Sequence, residues 1–107
     1  MSSMHIETET RGGWRVISVQ GRVDSLTAGE LNAALLAAVS ANERVAVDCS
    51  GLEYISSMGI ASLMEGARAA RTAHREFRVC APNQRVKQVF EITGLRSQLD
   101  VREDLPC

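Results

Sequence analysis

Aromatic residues make up only 4% of the 107-residue sequence, and proline occurs just twice, at Pro82 and Pro106. A core short of aromatics has to be aliphatic, assembled from Ala, Leu and Val. No charge of one sign dominates: 12 Lys and Arg stand against 13 Asp and Glu, a net of -1. Nucleic-acid binders and anionic-membrane binders need a basic surplus, and this chain has none. The longest apolar runs fall far short of the ~20 residues a membrane span requires. The opening MSSMHIETETRGG lacks a basic stretch followed by an apolar one, so neither secretion nor membrane insertion is expected. Cysteine is sparse as well. Cys49, Cys80 and Cys107 form an odd set without metal-type spacing, read as two small buried hydrophobes in strands and one terminal thiol. A reducing, cytoplasmic setting is the expectation. The chain contains no GxGxxG and no GxxxxGK[ST], which removes the phosphate-cradling loops of nucleotide enzymes, and no cofactor is expected.

What remains is ordinary globular material. The apolar fraction is 45% and the charged fraction 23%, enough for one packed domain over residues 1–107. His5 to Thr10 alternates weakly and reads as an edge strand, Arg11-Gly12-Gly13 as a turn, and Trp14 to Val19 as the second arm of a hairpin. Gln20 to Ser25 reads as an irregular exit. Thr27 followed three residues later by Glu30 fits a capping box, and Leu31, Leu35, Ala38 and Val39 then recur at helical spacing to about Ala41. Arg44 to Cys49 is a Val-rich strand, and Ser50 to Ile55 a connection with apolar anchors. Ile60, Leu63, Met64 and Ala67 predict a helix from about Met58 to Ala73. Phe77 to Cys80 is another strand. Asn83 caps a helix lined by Val86, Val89 and Phe90, which Gly94 ends with Leu95 placed for the apolar contact of a glycine C-cap. Leu99 to Val101 reads as a last strand. Strands alternating with helices predict an α/β domain with a mixed, mostly parallel sheet of about five strands and three to four helices.

Catalytic readings find little support. His5 and His74 do not fit a zinc pattern, and His74 lies among Arg68, Arg71 and Arg75, a basic helix end that complements the helix dipole and faces solvent. A triad of Ser57, His74 and Asp24 or Asp48 has nothing to fix its geometry, and Ser-Ser-Met-Gly is not a nucleophile elbow. No enzyme is expected. The run DCSGLEYISSMGI, residues 48–60, stands apart: a strand ends at Asp48, Leu52 and Ile55 anchor the connection, and two serines arrive where a helix begins. In open α/β sheets function collects at strand C-terminal ends beside helix N-termini. A serine there can cap the helix, or it can accept a phosphoryl group whose charge the helix start accommodates. The residues themselves leave both uses open.

That run resembles the signature of STAS domains, and in particular of the bacterial anti-sigma factor antagonists. Gly21 to Ala28 is similar to the family's Gly-x-hydrophobic-Asp segment, and Ala81-Pro82 through Phe90 to Thr93-Gly94-Leu95 to its late helix and Gly-Leu close. The resemblance spans about residues 6–101. It implies a STAS-type fold and a phosphoacceptor at Ser57, the serine two residues before the glycine. It implies a partner-binding surface at Asp24, Ser25, Ser56, Met58 and Gly59. Ser56 stands where sporulation-type members often carry Asp. Asp24 matches the family's acid beside the phosphorylation loop, and it can equally serve an Asx-type turn before Thr27. The implied partners are an anti-sigma factor with a GHKL-type serine kinase fold, which the unphosphorylated form binds so that a sigma factor is released, and a metal-dependent Ser/Thr phosphatase. The alternative within the same resemblance is a STAS scaffold without a phosphorylation cycle, or a module bound to a lipid-transport ATPase.

Overall fold

A computed structural model describes residues 4–94 and 98–103. The elements run β1 (Met4–Arg11), β2 (Trp14–Val23), α1 (Ala28–Ala41), β3 (Arg44–Asp48), β4 (Leu52–Ile55), α2 (Ser57–Thr72), β5 (Glu76–Cys80), α3 (Gln84–Ile92) and β6 (Asp100–Arg102). The sheet is ordered β1-β2-β3-β5-β6, with β4 also paired to β2. Only β1 is antiparallel to its neighbour, through the expected hairpin. The other four pairings are parallel, as strands linked by helical crossovers require.

Alternation along the strands sorts their side chains onto two faces. Ile17, Val19 and Val23 of β2, Val45 and Val47 of β3, and Phe77 and Val79 of β5 meet Leu31 and Leu35 of α1, Ile60 and Leu63 of α2, and Val86 and Phe90 of α3. Every helix packs on this one face. Each fully buried aliphatic side chain there stabilises the fold by about 1.5–3 kcal/mol relative to exposure. Among the described residues, the opposite face carries a small cluster of Trp14, Val16, Ala46 and Cys80, with the Arg78 guanidinium stacked 4.6 Å from the Trp14 ring centroid. Cys49 and Cys80 are buried on opposite faces, and burial pushes the Cys80 thiol up to about 11 and the Cys49 thiol higher still. Both behave as small hydrophobes. Cys107, and the contact expected of Leu95, lie outside the described residues.

Four local readings are corrected. Residues Gln20–Val23 are strand rather than irregular exit, because Leu52–Ile55, read as a connection, is itself a strand that pairs with Gly21–Val23. The register slips at Gly21, whose φ of +89° gives the local irregularity that hid the strand. The capping box at Thr27 does not form: Thr27 has helical backbone angles, and its side chain takes no N–H of the helix. The basic cluster faces solvent at Arg68, Arg71 and His74 as expected, with Arg71 in the last turn of α2, and Arg75 alone departs from it. His74, with φ +58°, closes α2 through hydrogen bonds from Arg75 N–H to Ala70 O and from Ala73 N–H to Ala69 O. The Arg75 guanidinium then turns to the other helix and donates to Val39 O at 2.7 Å and Asn42 O at 2.9 Å. One cation thus serves the last carbonyls of α1 rather than those of its own helix, and Arg68 pairs with Glu65.

Because these are charge-assisted bonds in a half-buried position, Arg75→Ala should lower unfolding free energy by about 1.5–3 kcal/mol. Arg75→Lys, which cannot present the same fork, should recover less than half of that loss. Chemical denaturation of the two variants beside the wild type checks both values.

Candidate functional site

β4 runs directly into α2 through Ser56. This residue is extended (φ -85°, ψ 173°), its hydroxyl accepts the Gly59 N–H at 3.3 Å, and its carbonyl accepts the Ile60 N–H at 2.9 Å. Ser56 is therefore the helix cap. Ser57 is the first helical residue and is exposed. The first N–H groups of a helix lack intrahelical acceptors, so an anion carried on Ser57 sits at the positive end of a 16-residue helix. The two uses open to a serine here are thus divided between neighbours: the first caps, the second is available.

Asp24 lies at the end of β2 and closes a tight turn. Its Oδ1 accepts the N–H of Leu26 at 2.9 Å and of Thr27 at 3.2 Å, and its carbonyl accepts the Ala28 N–H at 2.9 Å. The Leu26 N–H, aided by Thr27 and more weakly by Arg22, holds the carboxyl below the usual carboxylate range against the opposing cost of desolvation. The Thr27 hydroxyl accepts the Asp24 N–H at 3.0 Å and lies 3.2 Å from both Arg22 O and Asp24 Oδ1. The Asx-turn role of Asp24 is met in full, and Thr27 supports that turn instead of capping the helix.

Three contacts bring this turn and the α2 start together. The Ser56 N–H donates to Val23 O at 2.8 Å. The Ser62 hydroxyl donates to Ala28 O at 3.0 Å. Between them Gly59 packs so closely on β2 that an added Cβ would fall 2.6 Å from Val23 Cγ1 and 2.7 Å from Ile55 Cγ1. Asp24 and Ser25 on one side and Ser56, Ser57 and Met58 on the other therefore share one end of the sheet. Ser25, Ser57 and Met58 are exposed, whereas Gly59 is buried and shapes the surface from beneath.

Sequence patterns passed over two neighbours of this site, Leu26 and Tyr54. Leu26, on the Asp24 turn, is 90% exposed, and the expected Met58 is 54% exposed. Tyr54 is partly exposed and stacks under the Arg22 guanidinium at 4.3 Å across the β2–β4 register. A leucine between Ser25 and Thr27, outside any helical or strand period, was a readable signal. The Arg22–Tyr54 pair was not, since it depends on β4 being a strand.

The geometry also separates the residues of the imagined triad. Ser57 opens α2 and His74 follows its end, which at 1.5 Å per residue puts them about 25 Å apart. Asp48 is engaged locally, with Oδ1 accepting the Ser50 N–H and Oδ2 3.4 Å from the Ser18 hydroxyl. Among the described residues, no group of three or more His, Cys, Asp or Glu could hold a metal ion, and no helix is long and apolar enough to cross a membrane.

Gly59 gives this arrangement a direct test. An alanine would gain up to ~1 kcal/mol of helix propensity. Its methyl would collide with two buried side chains, and overpacking of that kind costs about 1–3 kcal/mol. Gly59→Ala should therefore show a net loss of stability in denaturant titration, and a gain would mean that the helix start is not held against β2.

Comparison with known proteins gives one answer. A family model described as "Mlab, STAS domain" matches residues 6–102. The chain is 35% identical over 95 residues to BtrV of Bordetella bronchiseptica, described as an anti-sigma factor antagonist, covering 88% of this chain and 82% of that protein. The crystal structure of an anti-sigma factor antagonist from Mycobacterium paratuberculosis superposes with a TM-score of 0.84 at 26% identity, covering 96% of this chain and 88% of that one. The fold is also that of the Bacillus cell fate determinant SpoIIAA in its phosphorylated form, with TM-score 0.69, 19% identity and coverage of 92% and 89%. The chain belongs to the STAS domain family, and anti-sigma factor antagonists are among its relatives.

Proposed function

We propose that this protein is an anti-sigma factor antagonist switched by phosphorylation of Ser57. Its unphosphorylated form binds an anti-sigma factor that is also its serine kinase, of the GHKL type, and the sigma factor is thereby released. A metal-dependent Ser/Thr phosphatase restores the binding form. The protein performs no chemistry itself, and it acts in the cytoplasm, where kinase and ATP are found.

The observation that carries this reading is the division of labour between the two serines. A phosphoacceptor has to present its hydroxyl to another protein's active site, and the exposed Ser57 can do so without losing a bond that the fold uses. Ser56, half-buried and hydrogen-bonded to Gly59 N–H, cannot. That a protein of the same fold has a structure in a phosphorylated form supports a phosphorylation switch. Physically, a phosphoserine brings about -1.5 to -2 charges and three acceptor oxygens. At the first residue of α2 the domain tolerates that charge, because the helix start favours an anion. An interface complementary to a neutral hydroxyl does not. The switch then acts on the complex and leaves the fold alone.

Incubation with the cognate kinase and ATP, followed by mass spectrometry, should place a single phosphate on Ser57. Ser57→Ala should retain binding to the anti-sigma factor and keep the sigma factor constitutively free. Ser57→Asp should weaken the complex, and by less than a phosphate does, since it carries less charge. Ser56→Ala should remain phosphorylatable while losing about 1 kcal/mol of stability with its cap. Phosphate on neither serine under a kinase shown to be cognate would overturn the switch and favour a STAS scaffold or transporter-bound module.

A further inference from the structure

Five large hydrophobic side chains stand exposed among the described residues: Leu26, Leu36, Tyr54, Met58 and Ile92. Three of them, Leu26, Tyr54 and Met58, surround the start of α2, and Leu26 is the most exposed of the five at 90%. A scattered exposed leucine needs no explanation. This one differs in how it is held. Its own N–H is fixed by Asp24 Oδ1 at 2.9 Å, and the residue after it is fixed by the same carboxylate oxygen and by its hydroxyl's bonds to the turn. On its two sides the chain is tied to α2, through Val23 O to Ser56 N–H and through Ala28 O to the Ser62 hydroxyl. The turn that lifts Leu26 into solvent is thus fastened at both ends to the helix that carries Ser57.

We propose that Leu26 is an apolar anchor for the partner that covers Ser57, and that Asp24 is a positioning residue that acts on this partner through Leu26. The proposal rests on the reading of the protein as an anti-sigma factor antagonist, and the occupant is that same anti-sigma factor. A stable protein interface buries about 800 Å² on each partner, a disc of about 16 Å radius. A kinase that closes over Ser57 with such a footprint cannot leave the adjoining turn uncovered. The apolar side chain at its tip then enters the partner's surface, with Met58, next to Ser57, as the second apolar contact. A side chain carried on a turn whose backbone is already fixed contributes affinity efficiently, because little backbone freedom is lost when it docks. The Asp24 carboxylate is turned inward to the N–H groups of Leu26 and Thr27. Its importance for binding lies in the turn it holds.

The test titrates the purified GHKL-type anti-sigma factor of the same bacterium into the full-length protein and four variants, with thermal melts of each. Leu26→Ala should weaken binding at least tenfold with the melting temperature unchanged. Ile92→Ala, which removes a comparably exposed side chain from α3, should leave affinity within twofold. Asp24→Ala should weaken binding, whereas Asp24→Asn, whose side-chain oxygen can accept the same two N–H bonds without the charge, should restore most of it. In the Asp24→Ala, Leu26→Ala double variant the losses should not add, since one acts through the other. Wild-type affinity for Leu26→Ala would overturn the anchor. Asp24→Asn as damaging as Asp24→Ala, with additive losses, would overturn the positioning role and make the carboxylate a direct contact. If the wild-type protein binds no such kinase, the antagonist reading fails and this inference fails with it; binding that is insensitive to Leu26 overturns the inference alone.

Discussion

The close approach of the first turn of α2 to β2 is the constraint on which the rest of this structure depends. It needs a residue without a side chain at position 59, since a single methyl there would lie within 2.7 Å of two buried side-chain carbons. It is locked by the hydrogen bond from Ser56 N–H to Val23 O. With the helix start fixed on the end of β2, the short β4 strand is forced into parallel pairing with β2, and the sheet gains a strand there beside β3. The Asp24 turn, which follows Val23 directly, is brought to the same end of the sheet. Packing in the core and presentation at the surface are consequences of one contact.

This arrangement explains how a small domain can offer a hydroxyl for modification without risking its fold. The groups that hold the helix start are Ser56, Gly59 and Ser62, each engaged by backbone or by tight packing. Ser57 is interleaved among them yet belongs to none of these contacts by burial or side-chain bonding. Charge added to it faces solvent and the helix dipole, which favours an anion by about 0.3–1 kcal/mol at an exposed site. Against a partner surface the same charge brings desolvation and repulsion. The difference between those two environments is the physical content of a phosphorylation switch.

Much of this was legible in the residues. The α1 and α2 periodicities named the side chains that pack on the sheet, with Leu31, Leu35, Ile60 and Leu63 all buried. Asn83 caps α3 through Val86 N–H as its position suggested. The serine pair falls at a helix start as expected, with Ser56 capping α2 and Ser57 opening it. What failed has two causes: the β4 strand and the Arg75 contacts depend on partners distant in sequence, whereas the Thr27 cap lost to a competing turn three residues away. Leu52–Ile55 is four residues long and is a strand only because β2 lies beside it. Thr27 and Glu30 match a capping box, but Asp24 three residues earlier takes the Thr27 N–H and draws the threonine hydroxyl into its own turn. Arg75 reaches across to α1, a contact spanning more than thirty residues. Local pattern found the helices, while long-range pairing revealed β4 and a competing local turn displaced the Thr27 cap.

The central claim is that one hydroxyl at the start of α2 sets the affinity for a kinase that is also the binding partner. Calorimetric titration of that anti-sigma factor against the same wild-type preparation, before and after stoichiometric phosphorylation, measures this directly. The account predicts a tight complex before the reaction and at least a hundredfold weaker one after it, with an unchanged melting temperature of the isolated domain. Equal affinity of the two forms would contradict it.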